Sequence, residues 1–201
     1  MATAQSQANI DRTWFKKSLK NKRLISALKK IKLIICDIDG NWTDSHVYVS
    51  PQGEGGRLFS VQDGYVIKPL QSAGFIVALM SGKENSSTAQ RAKTLKIPDD
   101  LCMTGMDSKI EFVKKLQKKL GVSYEQTIML GDDFMDANIK LNKLVALYAC
   151  PNNTPFYFQT VADIVIPRGG GDAAFRLFAD MLLFVHGKHF AHDIIKNIIT
   201  S

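Results

Sequence analysis

Two clusters of acidic residues each follow a short apolar run, which is the pattern of carboxylates at the ends of buried strands. Asp37 and Asp39 follow residues 32–36, and Gly131-Asp132-Asp133-Phe134-Met135-Asp136 follows residues 127–130. Side-chain alternation along a strand predicts that Asp37 and Asp39 point into one region. Carboxylates gathered in one crevice repel each other unless a cation is present, and oxygen-only ligands favour Mg²⁺. Helix capping would explain one such cluster more easily than two.

Two further polar groups are expected at the same edge of the sheet. Ser81-Gly82-Lys83 follows the apolar run of residues 75–80, and Lys109 stands at the start of a predicted helix over residues 107–120. A cation at a helix N-terminus opposes the helix dipole, which favours a functional reason for Lys109 over an ordinary surface position. Phosphoryl groups need such donors and cations around their oxygens.

The elements that position these residues alternate along the chain. Apolar runs near residues 32–36, 75–80, 101–103, 127–130, 144–149 and 164–166 are separated by predicted helices, which indicates a Rossmann-like parallel sheet with helices on both faces. Ligands in such sheets bind beyond the carboxyl ends of the strands. Two short predicted strands, residues 47–50 and 57–61, are joined by turn-forming residues into a small β-hairpin flap. The predicted divisions are a basic leader (1–30), the main domain (31–188, flap 47–61) and a tail (189–201).

Composition narrows the function classes. The chain has 201 residues, a formal net charge of +7 and three cysteines without metal-ligand spacing. Because the basic stretches lack interleaved aromatic residues or a recognition-helix pattern, we expect solvated helix faces and no nucleic acid. No segment has the length of a membrane span, and the N-terminus lacks a signal-peptide pattern, so the sequence predicts a cytoplasmic protein without membrane contact.

Four chemical groups occur in a fixed order along the chain: the Asp37-Asp39 strand end, Ser81, Lys109 and the acidic cluster of residues 131–136. In this order they resemble the motifs of the haloacid dehalogenase superfamily of phosphohydrolases. The match spans roughly residues 31–136. The resemblance implies that Asp37 attacks phosphorus, because a carboxylate is a nucleophile without deprotonation, and that Asp39 transfers protons to the leaving group and from water. It implies a metal set of Asp37, Asp39 and Asp132, with Asp133 and Asp136 supporting it from further out.

The same resemblance implies how the phosphoryl group is held. Ser81 and the amide of Gly82 would donate hydrogen bonds to its oxygens, and Lys109 would neutralise the charge that spreads over them during transfer. The reading that Lys109 is a surface lysine stays open at this point.

Three further stretches resemble the capless branch of that superfamily, which contains phosphatases of 3-deoxy-D-manno-octulosonate 8-phosphate. They are Asp37-Ile38-Asp39-Gly40-Asn41-Trp42-Thr43-Asp44, Phe59-Ser60-Val61-Gln62-Asp63-Gly64-Tyr65 and Ile166-Pro167-Arg168-Gly169-Gly170. The resemblance then covers residues 31–188. It implies a hairpin flap without a cap domain, a phosphorylated sugar acid as substrate, a role in lipopolysaccharide biosynthesis and a homotetramer.

The branch also implies which residues meet the sugar and its second anionic group. The implied substrate-binding residues are Asp39, Ser60, Val61, Gln62, Asp63, Gly64, Lys68, Gly82, Lys83, Arg91 and Lys109. Arg91 matches the branch, whereas Gln62, Lys68 and Lys83 stand where arginines are expected. Lysine keeps the charge but loses the bidentate fork, so a related nonulosonate or another sugar phosphate is an alternative substrate.

Other interpretations have their own signals. Capless folds also resemble non-catalytic oligomerisation domains of nucleotide-sugar synthetases, but here the full set of acids is present. In phospho-accepting receivers the acceptor aspartate follows a later strand. We expect His186, His189 and His192 to lie on a solvated face rather than at a zinc site. Residues 169–171 are either a phosphate cradle or a flexible glycine turn.

Overall fold

The structure, a computed structural model, describes residues 6–51, 53–84, 86–106 and 108–200. Its main sheet has six parallel strands in the order β5-β4-β1-β6-β7-β8, and a separate antiparallel pair is formed by β2 and β3. The strands are β1 (Leu33–Asp37), β2 (Val49–Ser50), β3 (Gly53–Glu54), β4 (Ile76–Met80), β5 (Cys102–Met103), β6 (Thr127–Leu130), β7 (Leu147–Pro151) and β8 (Ile164–Ile166).

Helices connect the strands and also form both ends of the described chain. They are α1 (Gln7–Lys20), α2 (Lys22–Leu28), α3 (Val61–Tyr65), α4 (Ile67–Ser72), α5 (Ser86–Thr94), α6 (Lys109–Leu120), α7 (Phe134–Leu141), α8 (Phe156–Gln159), α9 (Ala174–Val185) and α10 (His192–Thr200). Among these, α1, α2 and α3 contact α9, and α6 contacts α7. None of the helices in the described ranges has both the length and the apolar character of a membrane span.

The predicted fold class is confirmed. β1, β6 and β7 are buried along their whole length, which explains why their sequences are nearly continuous apolar runs. β1 lies at the centre, paired in parallel with β4 on one side and β6 on the other. Within the described residues the flap is the small β2–β3 hairpin, and no separate cap domain is present.

The hairpin is shorter than predicted. Val49 pairs with Glu54 and Ser50 with Gly53, whereas the predicted strand over residues 57–61 is wrong. Val61 instead begins α3, because the side chain of Ser60 accepts a hydrogen bond from the amide of Gln62 and caps that helix. Two residues of predicted elements, Gln52 in the predicted hairpin turn and Asp107 at the start of the helix predicted over residues 107–120, lie outside the described residues.

The segments predicted as leader and tail contain helices that pack on the rest of the domain. Residues 1–5 and 201 lie outside the described residues. In α1, Phe15 is buried, and the indole nitrogen of Trp14 donates a hydrogen bond to the carbonyl of Val165 at 2.8 Å. Asp11 accepts hydrogen bonds from Arg168 at 2.7 and 3.0 Å. The described part of the leader is therefore folded against β8 and Arg168, which precedes the glycine loop (residues 169–171).

The prediction of a solvated histidine face in the tail is wrong. His189 is buried and its Nε2 lies 2.9 Å from Asp180, while His192 stacks on Phe184. His186 Nε2 lies 3.0 Å from the carbonyl of Leu28. Because each ring has a different partner, the three histidines tie the C-terminal segment to the domain.

Candidate active site

The site lies where three neighbouring strands end at the same edge of the sheet. Asp37 is the last residue of β1 and stands beside Met80, so that Ser81 follows directly on the next strand. On the other side, Cys36 is in register with Leu130, which places Asp132 two residues beyond the end of β6. Parallel register therefore brings residues distant in sequence to one crevice.

A lysine ammonium bridges two buried carboxylates at the centre of this crevice. Lys109 Nζ lies 2.6 Å from Asp37 Oδ1 and 2.7 Å from Asp136 Oδ1. All three side chains are at most 9% exposed. Lys109 is the first residue of α6, which Ser108 caps by accepting a hydrogen bond from the amide of Glu111. The surface interpretation of Lys109 is therefore excluded.

The second acidic cluster forms the start of α7. Asp133 is the N-cap residue and accepts a hydrogen bond from the amide of Phe134, while Asp136 reaches back to the amides of Asp132 and Asp133. This capping box orients Asp136 so that its other oxygen meets Lys109. The same acidic cluster therefore both caps α7 and contributes a carboxylate to the site.

The electrostatics of these groups favour an additional positive charge. Burial and the neighbouring Asp136 raise the pKa of Asp37 well above its usual value, although Lys109 acts in the opposite direction. Burial, with Asp136 and Asp133, raises the pKa of Asp132 to about 7. For Lys109, burial alone would lower the pKa, but Asp136 and Asp37 raise it. One ammonium therefore faces more carboxylates than it can neutralise.

One group of acids among the described residues has the geometry of a cation site. Carboxylate oxygens of Asp37, Asp132 and Asp136 all lie within 4.8 Å of one another. Gly40 makes room for this group, since a Cβ there would lie 1.8 Å from Asp132 Oδ2, and its φ of +85° also favours glycine. An oxygen-only set fits Mg²⁺. Asp136 belongs to this group although it was expected to lie further out.

The carboxylate of Asp39 has an arginine as its partner. β1 ends at Asp37, so Asp39 lies in a turn where strand alternation no longer sets side-chain direction. Its two oxygens accept hydrogen bonds from Arg57 at 2.6 and 3.2 Å. Among the described residues the cation group therefore contains Asp136 rather than the carboxylate of Asp39, and the expectation that Asp37 and Asp39 point into one region stays a prediction.

The predicted phosphate donors after β4 lie on a turn that begins next to Asp37. Ser81 is buried, its amide donates to the carbonyl of Met103 at 2.9 Å, and its Oγ accepts from the amide of Lys83 at 3.3 Å. Gly82 is exposed, and a Cβ built on it meets nothing within 4 Å. The Gly82 amide is thus part of an open turn, and Lys83 is exposed next to it.

The segment expected to contact the sugar divides into exposed and buried residues. Val61 and Gln62 are exposed at the start of α3, whereas Gly64 is buried. A Cβ on Gly64 would lie 2.2 Å from the guanidinium of Arg91. Ser60 is half-buried, and its carbonyl accepts a hydrogen bond from Arg91 at 3.0 Å. Arg91 therefore anchors this segment to α5.

Asp63 is completely buried and faces another helix. Its Oδ1 accepts a hydrogen bond from the amide of Arg176 at 2.8 Å, in the first turn of α9. Burial raises the pKa of Asp63 to about 6. A carboxylate at a helix N-terminus stabilises that helix, so the contact seen here is structural rather than with a sugar. Lys68, in contrast, is exposed on α4.

The glycine loop is a packing element rather than an open cradle. The amide of Gly170 donates to Asn153 and that of Gly171 to the carbonyl of Asn41, so both are used within the protein. A Cβ on Gly170 would lie 1.9 Å from the carbonyl oxygen of Gly40. The loop therefore supports the backbone between Asp37 and Asp44 at close range.

Arg57 is the site residue that the sequence interpretation missed. It lies in the segment predicted as the second hairpin strand, where it was given no role. The available signal was charge balance: the site holds several acids, and Arg57 is the single arginine between Asp39 and Asp63. Nothing in the local pattern indicates which acid such an arginine meets.

Comparisons with known proteins agree with this geometry. No family model matches the chain. It is 34% identical over 179 residues, which is 87% of this chain and 94% of the relative, to the 3-deoxy-D-manno-octulosonate 8-phosphate phosphatase of Haemophilus influenzae. The cobalt-bound structure of the Haemophilus influenzae phosphatase has a TM-score of 0.77 at 33% identity and covers 83% of this chain and 95% of its own.

A second similar structure was solved with bound ligands. The Moraxella catarrhalis 3-deoxy-D-manno-octulosonate 8-phosphate phosphatase, in complex with a magnesium ion, a phosphate ion and a KDO molecule, has a TM-score of 0.76 at 26% identity. The match covers 88% of this chain and 98% of that one. The similarity extends over nearly the full length of both relatives.

Proposed function

This chain belongs to the haloacid dehalogenase superfamily, in the family of 3-deoxy-D-manno-octulosonate 8-phosphate phosphatases, and we propose that it hydrolyses 3-deoxy-D-manno-octulosonate 8-phosphate with Mg²⁺. The observation that carries the proposal is the contact of Lys109 with Asp37 and Asp136, beside Asp132. A buried ammonium within a carboxylate cluster, at the carboxyl edge of a parallel sheet, suits transfer of a phosphoryl group.

In the proposed mechanism Asp37 is the nucleophile. One of its oxygens forms a bond to phosphorus while the bond to the sugar oxygen breaks, which leaves an aspartyl phosphate on Asp37. Lys109 holds Oδ1 of Asp37 in place and faces the charge that develops on the phosphoryl oxygens. Ser81 and the amide of Gly82 are the proposed donors of hydrogen bonds to the same oxygens.

Asp39 is the proposed acid and base. It donates a proton to the departing sugar oxygen in the first step and accepts one from water in the second, in which water attacks phosphorus and releases Asp37. Its carboxylate is 31% exposed, so a substrate can reach it.

Asp37 and Asp132 are the proposed ligands of Mg²⁺, and Asp136 and Asp133 orient them through Lys109 and the start of α7. The predicted contribution of Asp39 to the metal set stays a prediction. When bound, Mg²⁺ supplies positive charge to the carboxylates and to the phosphoryl oxygens.

The proposal is tested by measuring kcat/KM on a panel of phosphate esters, with Mg²⁺ and after exhaustive chelation. We expect turnover to be lost on chelation and restored by Mg²⁺. Octulosonate or nonulosonate phosphates should be preferred over neutral hexose phosphates by roughly tenfold or more, the scale of discrimination by one recognised group. Equal kcat/KM for hexose phosphates would contradict recognition of the carboxylate, and full activity without metal would contradict the magnesium requirement.

The same assay addresses the alternative of a non-catalytic domain, which predicts no turnover of any ester. A cytoplasmic location and a role in lipopolysaccharide biosynthesis belong to this proposal. The location is supported by Cys36, Cys102 and Cys150, which are free thiols typical of a reducing compartment.

We also propose that the active protein is a homotetramer with the flap at the subunit contact. Tyr48, Val49, Leu58 and Val61 are 67–84% exposed, and the hairpin has only two paired residues per strand. A two-stranded ribbon of this kind is marginally stable unless it packs against another surface. Phe59, in contrast, packs on the core of its own chain.

Val49→Asp combined with Leu58→Asp should therefore reduce the assembly to smaller species and lower turnover. Sedimentation velocity and kcat measured at the same protein concentrations would show both effects. Leu141→Asp is the matched control, because Leu141 is also exposed but lies at the end of α7. A fully active wild-type monomer would contradict the proposal, as would a double variant that assembles like the wild type.

A further inference from the structure

The contact between Arg57 and Asp39 joins the segment after the hairpin to the site. Arg57 Nε lies 2.6 Å from Asp39 Oδ1, and Nη2 lies 3.2 Å from Oδ2. Two guanidinium nitrogens that meet two carboxylate oxygens fix the plane of the carboxylate as well as its distance. Asp39 follows β1 in a turn, where the backbone alone does not orient its side chain.

The two partners differ in exposure. The side chain of Arg57 is 1% exposed, whereas that of Asp39 is 31% exposed. The guanidinium is therefore held within the protein, whereas the carboxylate that it holds keeps part of its surface accessible to solvent. Such an arrangement suits an acid that must meet a substrate in one orientation.

The backbone around Arg57 is itself anchored. Two residues further on, the ring of Phe59 lies 5.8 Å from the guanidinium of Arg91, and the carbonyl of Ser60 accepts a hydrogen bond from the same group at 3.0 Å. The orientation of Asp39 thus depends on the fold of the segment between the hairpin and α3.

We propose that Arg57 is a positioning residue that orients the carboxyl group of Asp39 for proton transfer to the leaving oxygen. The inference rests on the proposed function. As the bond between phosphorus and the sugar oxygen breaks and Asp37 takes up the phosphoryl group, the proton of Asp39 moves to that oxygen. When water attacks the aspartyl phosphate, Asp39 takes a proton from it and is restored.

The test compares leaving groups. A sugar alkoxide needs a proton to depart, whereas p-nitrophenolate does not, and kcat/KM reports the first step, in which the leaving group departs. Arg57→Gln should lower kcat/KM for the sugar phosphate by about 30-fold to 100-fold, within the scale of general acid catalysis, and that for p-nitrophenyl phosphate by less than about threefold. Arg57→Lys should recover only part of the loss, because lysine lacks the fork.

A double variant separates positioning through Asp39 from an independent role. Arg57→Gln combined with Asp39→Asn should be no slower on the sugar phosphate than Asp39→Asn alone. Arg12→Gln is the matched control, because Arg12 is exposed on α1. Equal losses on the two substrates, or losses that multiply in the double variant, would overturn the proposal.

Failure of the proposed function would look different. In that case the wild type turns over neither ester, and the catalytic role of Arg57 fails with it. The ion pair between Arg57 and Asp39 can also be tested without an activity assay, by measuring the urea midpoints of unfolding of the same single and double variants. Midpoint shifts that do not add support a pair formed in solution, and additive shifts contradict it.

Discussion

Replacing Asp37 by asparagine should reduce kcat by about four orders of magnitude or more, the scale on which loss of an enzymatic nucleophile is felt. The amide of asparagine does not attack phosphorus, and it removes one charged oxygen from the cluster that Asp37 forms with Asp132 and Asp136. Steady-state turnover with p-nitrophenyl phosphate, whose product is directly visible, is the measurement.

The variant should remain folded. Because burial and Asp136 raise the pKa of Asp37, the folded metal-free protein binds a proton there more tightly than the unfolded chain does. This contribution to stability is present at acidic pH and is lost as pH rises through the folded-state pKa. Asparagine does not titrate, so the variant does not lose stability in this way. The free energy of unfolding of the metal-free variant, compared with that of the metal-free wild type, should therefore increase from pH 4 to pH 8.

Asp100→Asn is the control for this experiment, since Asp100 forms an exposed ion pair with Lys119 on the surface. It should leave both kcat and the unfolding curve nearly unchanged. Turnover by Asp37→Asn above that of a mock preparation would assign the nucleophile to another residue.

Replacing Lys109 by methionine should lower kcat by about 10²-fold to 10³-fold, the usual cost of removing one preorganised electrostatic group. It should also lower the free energy of unfolding of the metal-free protein by about 3 kcal/mol, because Asp37 and Asp136 lose their shared buried partner. Added Mg²⁺ should restore part of the stability, since a bound cation compensates the same carboxylates.

Lys114→Met is the matched control on the same helix. Lys114 is exposed and pairs with Glu111 at 3.0 Å, a contact of small energetic consequence. Chemical unfolding with and without Mg²⁺, together with kcat, distinguishes the two variants. A Lys109→Met protein within tenfold of wild-type turnover would show that the ammonium has only a structural role.

Much of the fold could be predicted from the sequence because parallel strands buried on both faces are continuous apolar runs. The prediction matched β6 and β8 at both ends and placed β1 and β4 within one residue. Because these strands run parallel, all their carboxyl ends lie at one edge of the sheet. That rule is why residues 37, 81 and 132 could be expected to meet without knowledge of any distance.

The hairpin and the segment after it were predicted less well because their pattern is weak. The predicted strand over residues 57–61 has no partner strand, and a cap by Ser60 turns its end into α3. The resemblance implied that Asp63 binds the substrate, but in the structure it is buried against the first turn of α9. Both outcomes depend on which element lies opposite, which local propensity does not specify.

The sequence by itself determined the parallel α/β fold, the two acidic clusters at its carboxyl edge and the chemistry that such clusters favour. Only the tertiary structure decided which partner each charge has: Lys109 lies between Asp37 and Asp136, and Arg57 holds Asp39. The physical reason is that strand alternation and helix periodicity constrain neighbours along the chain, whereas ion pairs form between groups 18, 27 or 72 residues apart. Their geometry exists only once the sheet has brought those segments together.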